Sequence, residues 1–229
     1  MEQTFLTKFN LETESICVPN YIAVEGAIGV GKTTLTEKLA SSLNYDVILE
    51  EPDENPFLEK FYRDKKNHAL SVQLHFLFQR LKKLQNLRQG DIFQSVRVSD
   101  FIIEKDPIFA KITLDDHEYS LYNTVYENVI TDLPKPDVMI YLQAPTEVLL
   151  QRIQKRGIPS EQMIEAEYLN QLNRAYTEFF HYYSGSKLLI VNSAEIDLVN
   201  NDADYEQLVR YLLALPSGTH YFNPKPTLL

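Results

Sequence analysis

The sequence predicts an α/β fold, a five-stranded parallel sheet with helices on both faces. Three observations lead there. Short apolar runs alternate with longer helix-periodic stretches along the chain, and strands separated by helices pair in parallel. The first apolar run opens onto a glycine-rich loop that leads into a helix-like stretch, the strand–loop–helix order of a phosphate site. The chain has 229 residues, with Leu, Ile, Val, Tyr and Phe plentiful, enough to bury the core such a sheet needs.

The elements follow in order. Residues 1–20 are polar and weakly patterned and read as an extension outside the core. Residues 21–24 form the first strand, and residues 34–40 continue as a helix. Val47-Ile48-Leu49 is a short buried strand ended by Pro52, and residues 55–65 read as a short helix with Pro56 in its first turn. Residues 68–88 are a long amphipathic helix, because Leu70, Leu74, Leu77, Leu81 and Leu84 make one stripe, and Gly90 stops it. Residues 92–98 form the third strand and residues 114–133 a second long helix. Pro134-Lys135-Pro136 punctuates before the strand at 138–142. Helices over 146–156, ending at Gly157, and over 161–183 precede a last strand at 187–191 and a last helix at 203–213. One domain therefore spans residues 21–214, and residues 215–229 are a Pro-containing tail.

Gly26-Ala27-Ile28-Gly29-Val30-Gly31-Lys32-Thr33 fits G-x-x-x-x-G-K-[ST]. Its glycines let backbone N–H groups turn inward around phosphate oxygens, and the following helix directs its positive end at the same anion. Gly26 through Thr34 (with Ala27, Ile28, Gly29, Val30, Gly31, Lys32 and Thr33) form the candidate ATP cradle. Lys32 would reach the β- and γ-phosphates, and the Thr33 hydroxyl would help hold Mg²⁺.

Composition excludes other classes. With 22 basic and 32 acidic side chains, a net charge of −10 disfavours nonspecific grip on a nucleic acid polymer or an anionic membrane. Cys17 is the only cysteine, so there is no intrachain disulfide or cysteine metal cluster. The five histidines are scattered without ligand spacing. Neither a signal-peptide core nor an 18-residue apolar run is present, so the expected location is cytoplasmic.

Ligands of parallel sheets bind beyond the carboxyl ends of the strands, which singles out the residues there. Glu51 ends the second strand and could accept a proton from an attacking hydroxyl, or be a solvated acid beside Glu50. Asp100 ends the third strand, where it could hold Mg²⁺ or simply start a turn. On the long helix Arg80 falls about 20° from Gln73 on the helical wheel. Both border the leucine stripe, a costly place unless paired or ligand-bound, although Arg80 could snorkel. Arg152 and Arg156 share one helix face before Gly157, suited to a phosphate lid or simply to a helix C-terminus.

Taken together these residues resemble the deoxynucleoside kinase family over about residues 21–211. Glu51-Pro52 is similar to the family's Glu-Pro with the catalytic base. Tyr62 resembles its sugar-contacting tyrosine, Gln73 its base-pairing glutamine, and Arg80 with Asp106 its base-recognising pair. Arg152, Arg156 and Glu161 resemble its lid, and Asp106-Pro107-Ile108-Phe109-Ala110 resembles its D-x-x-I-F-A, one residue shorter. The resemblance implies the P-loop kinase fold, ATP and Mg²⁺ as cofactors, a small-molecule deoxynucleoside as acceptor, and a homodimer packed through the long helices. Two positions depart from it. Phe101 stands where the family has arginine after the strand-end acid, and Ile158 replaces the second arginine of the lid. Arg97 and Lys105 are the candidates to supply the lost charge, and strand alternation favours Lys105.

The expected function is phosphorylation of the 5′-hydroxyl of a deoxynucleoside, with a purine favoured by Gln73, Arg80 and Asp106. The rivals are an ATP-binding regulator with weak or lost activity, to which the two absent arginines point, and a kinase for another small acceptor such as a nucleoside monophosphate.

Overall fold

The structure is a computed structural model that describes residues 18–89 and 96–223. Most of the predicted strand at 92–98, and Gly90, lie outside the described residues. Strands β1 (Tyr21–Gly26), β2 (Asp46–Ile48), β3 (Arg97–Ser99), β4 (Val138–Gln143), β5 (Lys187–Asn192) and β6 (Thr219–Phe222) form one sheet in the order β2-β3-β1-β4-β5-β6. Every pairing is parallel.

The sheet has six described strands where five were expected. The extra strand, β6, comes from the tail, where the Leu188 amide donates to Gly218 O at 3.0 Å and starts a ladder along β5. A four-residue strand beside Pro216 and Gly218 carries too short a pattern to be read in advance.

β1 is buried along its whole length at the sheet centre. Ala23 lies opposite Ser99, Ile48 opposite Ser99, and Gly26 opposite Leu142. These registers bring the phosphate loop, Glu50 and Asp100 to one edge.

The helices are α1 (Lys32–Leu43), α2 (Leu58–Arg63), α3 (Lys65–Gln89), α4 (Asp106–Thr113), α5 (Asp116–Val129), α6 (Thr146–Arg156), α7 (Ala166–His181) and α8 (Asp202–Leu213). Three differ from expectation. α2 starts late because Pro52–Glu54 forms a 3-10 turn and the Asn55 carboxamide bonds the Phe57 amide and Val72 O. Pro56 thus precedes the helix. The stretch predicted at 114–133 begins at Asp116, where the Asp115 side chain caps the amides of His117 and Glu118 at 2.9 Å, with Glu118 returning the bond. α4, a separate helix with Pro107 in its first turn, precedes it. The stretch predicted at 161–183 divides into a 3-10 turn, Glu161–Met163, and α7.

The leucine stripe of α3 packs as its spacing dictates. Leu77, Leu81 and Leu84 are buried with Phe101, Ile103 and Tyr122 in a core between α3 and α5, and Leu70 and Leu74 border it. A larger core surrounds the sheet and includes Tyr141 stacked on Phe180 at 4.1 Å. Among the described residues no helix is long and apolar enough to cross a membrane.

Candidate active site

The phosphate loop joins β1 to α1 and is fixed by two glycines. Gly26 has φ +148°, and a Cβ there would lie 2.4 Å from Leu142 O on β4. Gly29 has φ +82°, and its Cβ would meet Ile153 and Leu149 O of α6. Both approaches exclude a side chain, and the second fits the loop against the helix that carries Arg152 and Arg156. Lys32 Nζ donates to Gly26 O at 2.8 Å and Ala27 O at 3.2 Å. Burial, with Lys105 nearby, lowers its ammonium pKa, against the pull of Glu25, Glu50 and Asp100.

A cavity of about 600 Å³ lies along this loop, lined by Gly29, Val30, Gly31, Lys32, Thr33 and Thr34. Arg152 closes one side, donating to Val30 O at 3.0 Å and Ser193 O at 2.6 Å. It is fixed to the loop rather than carried on a free lid. The wall continues from Ser193 through the segment 193–201 after β5, which sequence reading did not single out.

A second cavity of about 250 Å³ adjoins the first and shares Gly29, Lys32, Thr33 and Arg156 with it. Its walls include Glu50, Tyr62, Gln73, Arg80, Asp100 and Glu161. At the seam, Thr33 Oγ1 donates to Asp100 Oδ2 at 2.6 Å. These two hard oxygen donors suit Mg²⁺. Among the described residues no cluster of three or more His, Cys, Asp or Glu forms a cation site by itself.

Glu51, the expected base, stands outside this cavity. Its side chain is 51% exposed and pairs with Lys83. Glu50 faces inward instead. The reason is local. Asp100 donates its amide to Ile48 O and its carboxylate takes the Glu50 amide at 2.7 Å, which fixes the chain just beyond β2. Successive side chains of an extended segment point to opposite sides, so only one of the two glutamates can face the cavity. Arg80 Nε donates to Glu50 Oε1 at 2.6 Å, and Lys105 Nζ to Oε2 at 3.2 Å. Burial would raise the Glu50 carboxyl, but Arg80, Lys105 and Lys32 outweigh it and hold the group at about 2.

The remaining expected residues gather around the same cavity. Arg80, 4% exposed, pairs with Asp106, 1% exposed, which lies behind it. The Gln73 amide donates to Thr113 Oγ1 at 3.1 Å. Arg156 pairs with Glu161 across the turn after α6. Burial raises the Tyr62 phenol, as it does the Tyr168 phenol that also lines the cavity.

Phe101 is fully buried in the α3–α5 core and does not line the cavity. Lys105 does, from the 3-10 turn Ile103–Lys105. Its Nζ also lies 3.3 Å from Glu25 Oε1. Glu25, unexposed at the end of β1, accepts from the Gly26 and Ile102 amides and the Tyr176 hydroxyl at 3.0–3.1 Å. Sequence reading did not name Glu25, although a carboxylate inside an otherwise apolar strand was a usable signal.

A family model described as deoxynucleoside kinase matches residues 22–214. Deoxyguanosine kinase of Bacillus subtilis (strain 168) is 36% identical over 204 residues, covering 85% of this chain and 97% of that protein. The deoxyadenosine/deoxycytidine kinase of the same strain is 33% identical over 196 residues, covering 82% and 89%. The solved structure of M. mycoides deoxyadenosine kinase with bound dATP matches at 30% identity and a TM-score of 0.74, covering 84% of this chain and 98% of that one.

Proposed function

The chain belongs to the deoxynucleoside kinase family, and on that premise we propose that it transfers the γ-phosphoryl group of ATP to the 5′-hydroxyl of a purine deoxynucleoside. The observation that carries this is the pair of adjoining cavities with Lys32, Thr33 and Arg156 at their seam. ATP phosphates would occupy the larger cavity and the acceptor the smaller. Lys32, Arg152 and Arg156 would stabilise the transferring phosphoryl group. Thr33 and Asp100 would hold Mg²⁺, which when bound neutralises charge on the β- and γ-phosphates.

Glu50 takes the role first assigned to Glu51. Its carboxylate is ionised in the resting site, so it would orient the acceptor hydroxyl and take up its proton as the new O–P bond forms and the bond from the γ-phosphorus to ADP breaks. Tyr62 and Glu161 would contact the sugar. Gln73 and Arg80, the latter backed by Asp106, would read a base bearing an amino group. Arg80 and Asp106 are a desolvated donor–acceptor pair, and a base edge that leaves such groups unpaired is strongly disfavoured.

Release of ADP, followed across deoxynucleosides, ribonucleosides and nucleoside monophosphates, tests the reading. Turnover with a purine deoxynucleoside and none with monophosphates supports it. ADP release only with monophosphates, or with no acceptor tested, refutes it. Lys105 beside Glu50 weighs against a regulator without turnover. The protein is further proposed to be a homodimer packed through α3 and α5, whose Phe78 and Leu121 are 52% and 54% exposed. Sedimentation as a monomer at micromolar concentration would refute that.

A further inference from the structure

We propose that Lys105 is a positioning residue that holds the Glu50 carboxylate toward the acceptor hydroxyl, supplying from the turn after β3 the cation that position 101 lacks. The inference rests on the kinase reading above.

Phe101 has no exposed surface and packs with Leu77, Leu81 and Leu84. The same apolar packing holds Ile103, at the start of the turn that presents Lys105. So the substitution at 101 does more than remove a charge. It seats this segment in the α3–α5 core and leaves Lys105, two residues past Ile103, to enter the cavity.

A lysine side chain only 2% exposed is costly unless its charge is matched. Lys105 is matched twice, by Glu25 Oε1 at 3.3 Å and Glu50 Oε2 at 3.2 Å. The two carboxylates differ in what else they have. Glu25 keeps three other hydrogen-bond donors, from Gly26, Ile102 and Tyr176. Glu50 Oε1 is held by Arg80, whereas Oε2 is the oxygen that Lys105 holds. The charges of Glu25, Lys105, Glu50, Arg80 and Asp106 therefore alternate in a row from the strand before the phosphate loop to the base-reading pair. Lys105 is the link that ties Glu50 to the loop side of that row. Without it, the Glu50 carboxylate is steered by Arg80 alone.

The test compares wild type, Lys105→Met and the double variant Glu25→Gln with Lys105→Met, each assayed for kcat and KM, and repeats Lys105→Met in a Glu50→Gln background. The double variant removes two opposite buried charges together, so its fold does not depend on an orphaned carboxylate. Both variants are expected to lose at least about tenfold in kcat while KM for the deoxynucleoside changes less than about threefold. In the Glu50→Gln background, Lys105→Met is expected to cost less than about threefold more in kcat, because a residue that acts through Glu50 has nothing left to position. A double variant with wild-type kcat overturns the inference, because Lys105 would then serve only as the counter-ion of Glu25. A fall in kcat of the same size with Gln at position 50 overturns it as well, since Lys105 would not be acting through Glu50. Wild-type protein that phosphorylates no deoxynucleoside refutes the kinase reading itself, and this inference with it.

Discussion

Thr33 and Asp100 meet at 2.6 Å, hydroxyl to carboxylate, and so join the first turn of α1 to the end of β3. The other Asp100 oxygen takes the Glu50 amide at 2.7 Å. One carboxylate thus ties the phosphate loop to the segment that presents Glu50, and in the proposed reaction it would also hold Mg²⁺.

Asp100→Asn keeps the shape and removes the charge. Turnover should fall about a hundredfold, on the scale of removing one charge-stabilising group from an active site, and half-maximal activity should need more Mg²⁺. A Mg²⁺ titration of both proteins checks this. An unchanged metal requirement places the cation elsewhere.

Glu50→Gln and Glu51→Gln separate two neighbours that the chain alone does not. Losing a positioned proton acceptor costs roughly 10²–10⁴-fold, and that loss should follow Glu50, with Glu51→Gln within about threefold of wild type. The reverse order would return the role to Glu51. Stability carries a second signature. Arg80, Lys105 and Lys32 overcome burial and hold the Glu50 carboxyl at about 2, below the unfolded value of about 4.3. Its stabilising contribution is therefore present above about pH 4.3 and lost as pH falls toward 2. Melting temperatures between pH 5 and 2 should fall more steeply for wild type than for Glu50→Gln.

Arg80→Met strands the buried Asp106 carboxylate and leaves Glu50 with Lys105 as its one ion-pair partner. Breaking a buried pair this way costs roughly 3–5 kcal/mol. Adding Asp106→Ala should restore part of that stability and open room for a methyl group, shifting preference toward thymidine. Denaturant unfolding with kcat/KM for four deoxynucleosides reads both effects. Additive stability losses with an unchanged base preference would show that the pair is not the base-reading wall.

Much of this was legible in the chain because local patterns sufficed. The leucine stripe fixed the buried face of α3, and the glycine spacing with Lys32 and Thr33 located the phosphate loop. Gln73 and Arg80 betrayed themselves as polar residues beside an apolar stripe. What was not legible depended on contacts distant in sequence. That Glu50 rather than Glu51 faces the cavity follows from a bond to Asp100, fifty residues away. Glu25 could not be matched to Tyr176 and Lys105 before the sheet brought α7 and the turn after β3 together. β6 is specified by its ladder to β5 more than by its own four residues.

The most direct measurement is the identity and rate of the product formed from ATP, Mg²⁺ and each deoxynucleoside. The expected product is a nucleoside 5′-monophosphate, with kcat/KM for deoxyguanosine or deoxyadenosine at least about tenfold above that for thymidine, the scale set by one unpaired buried polar contact. Phosphate appearing at another position, or thymidine as the best acceptor, would contradict it.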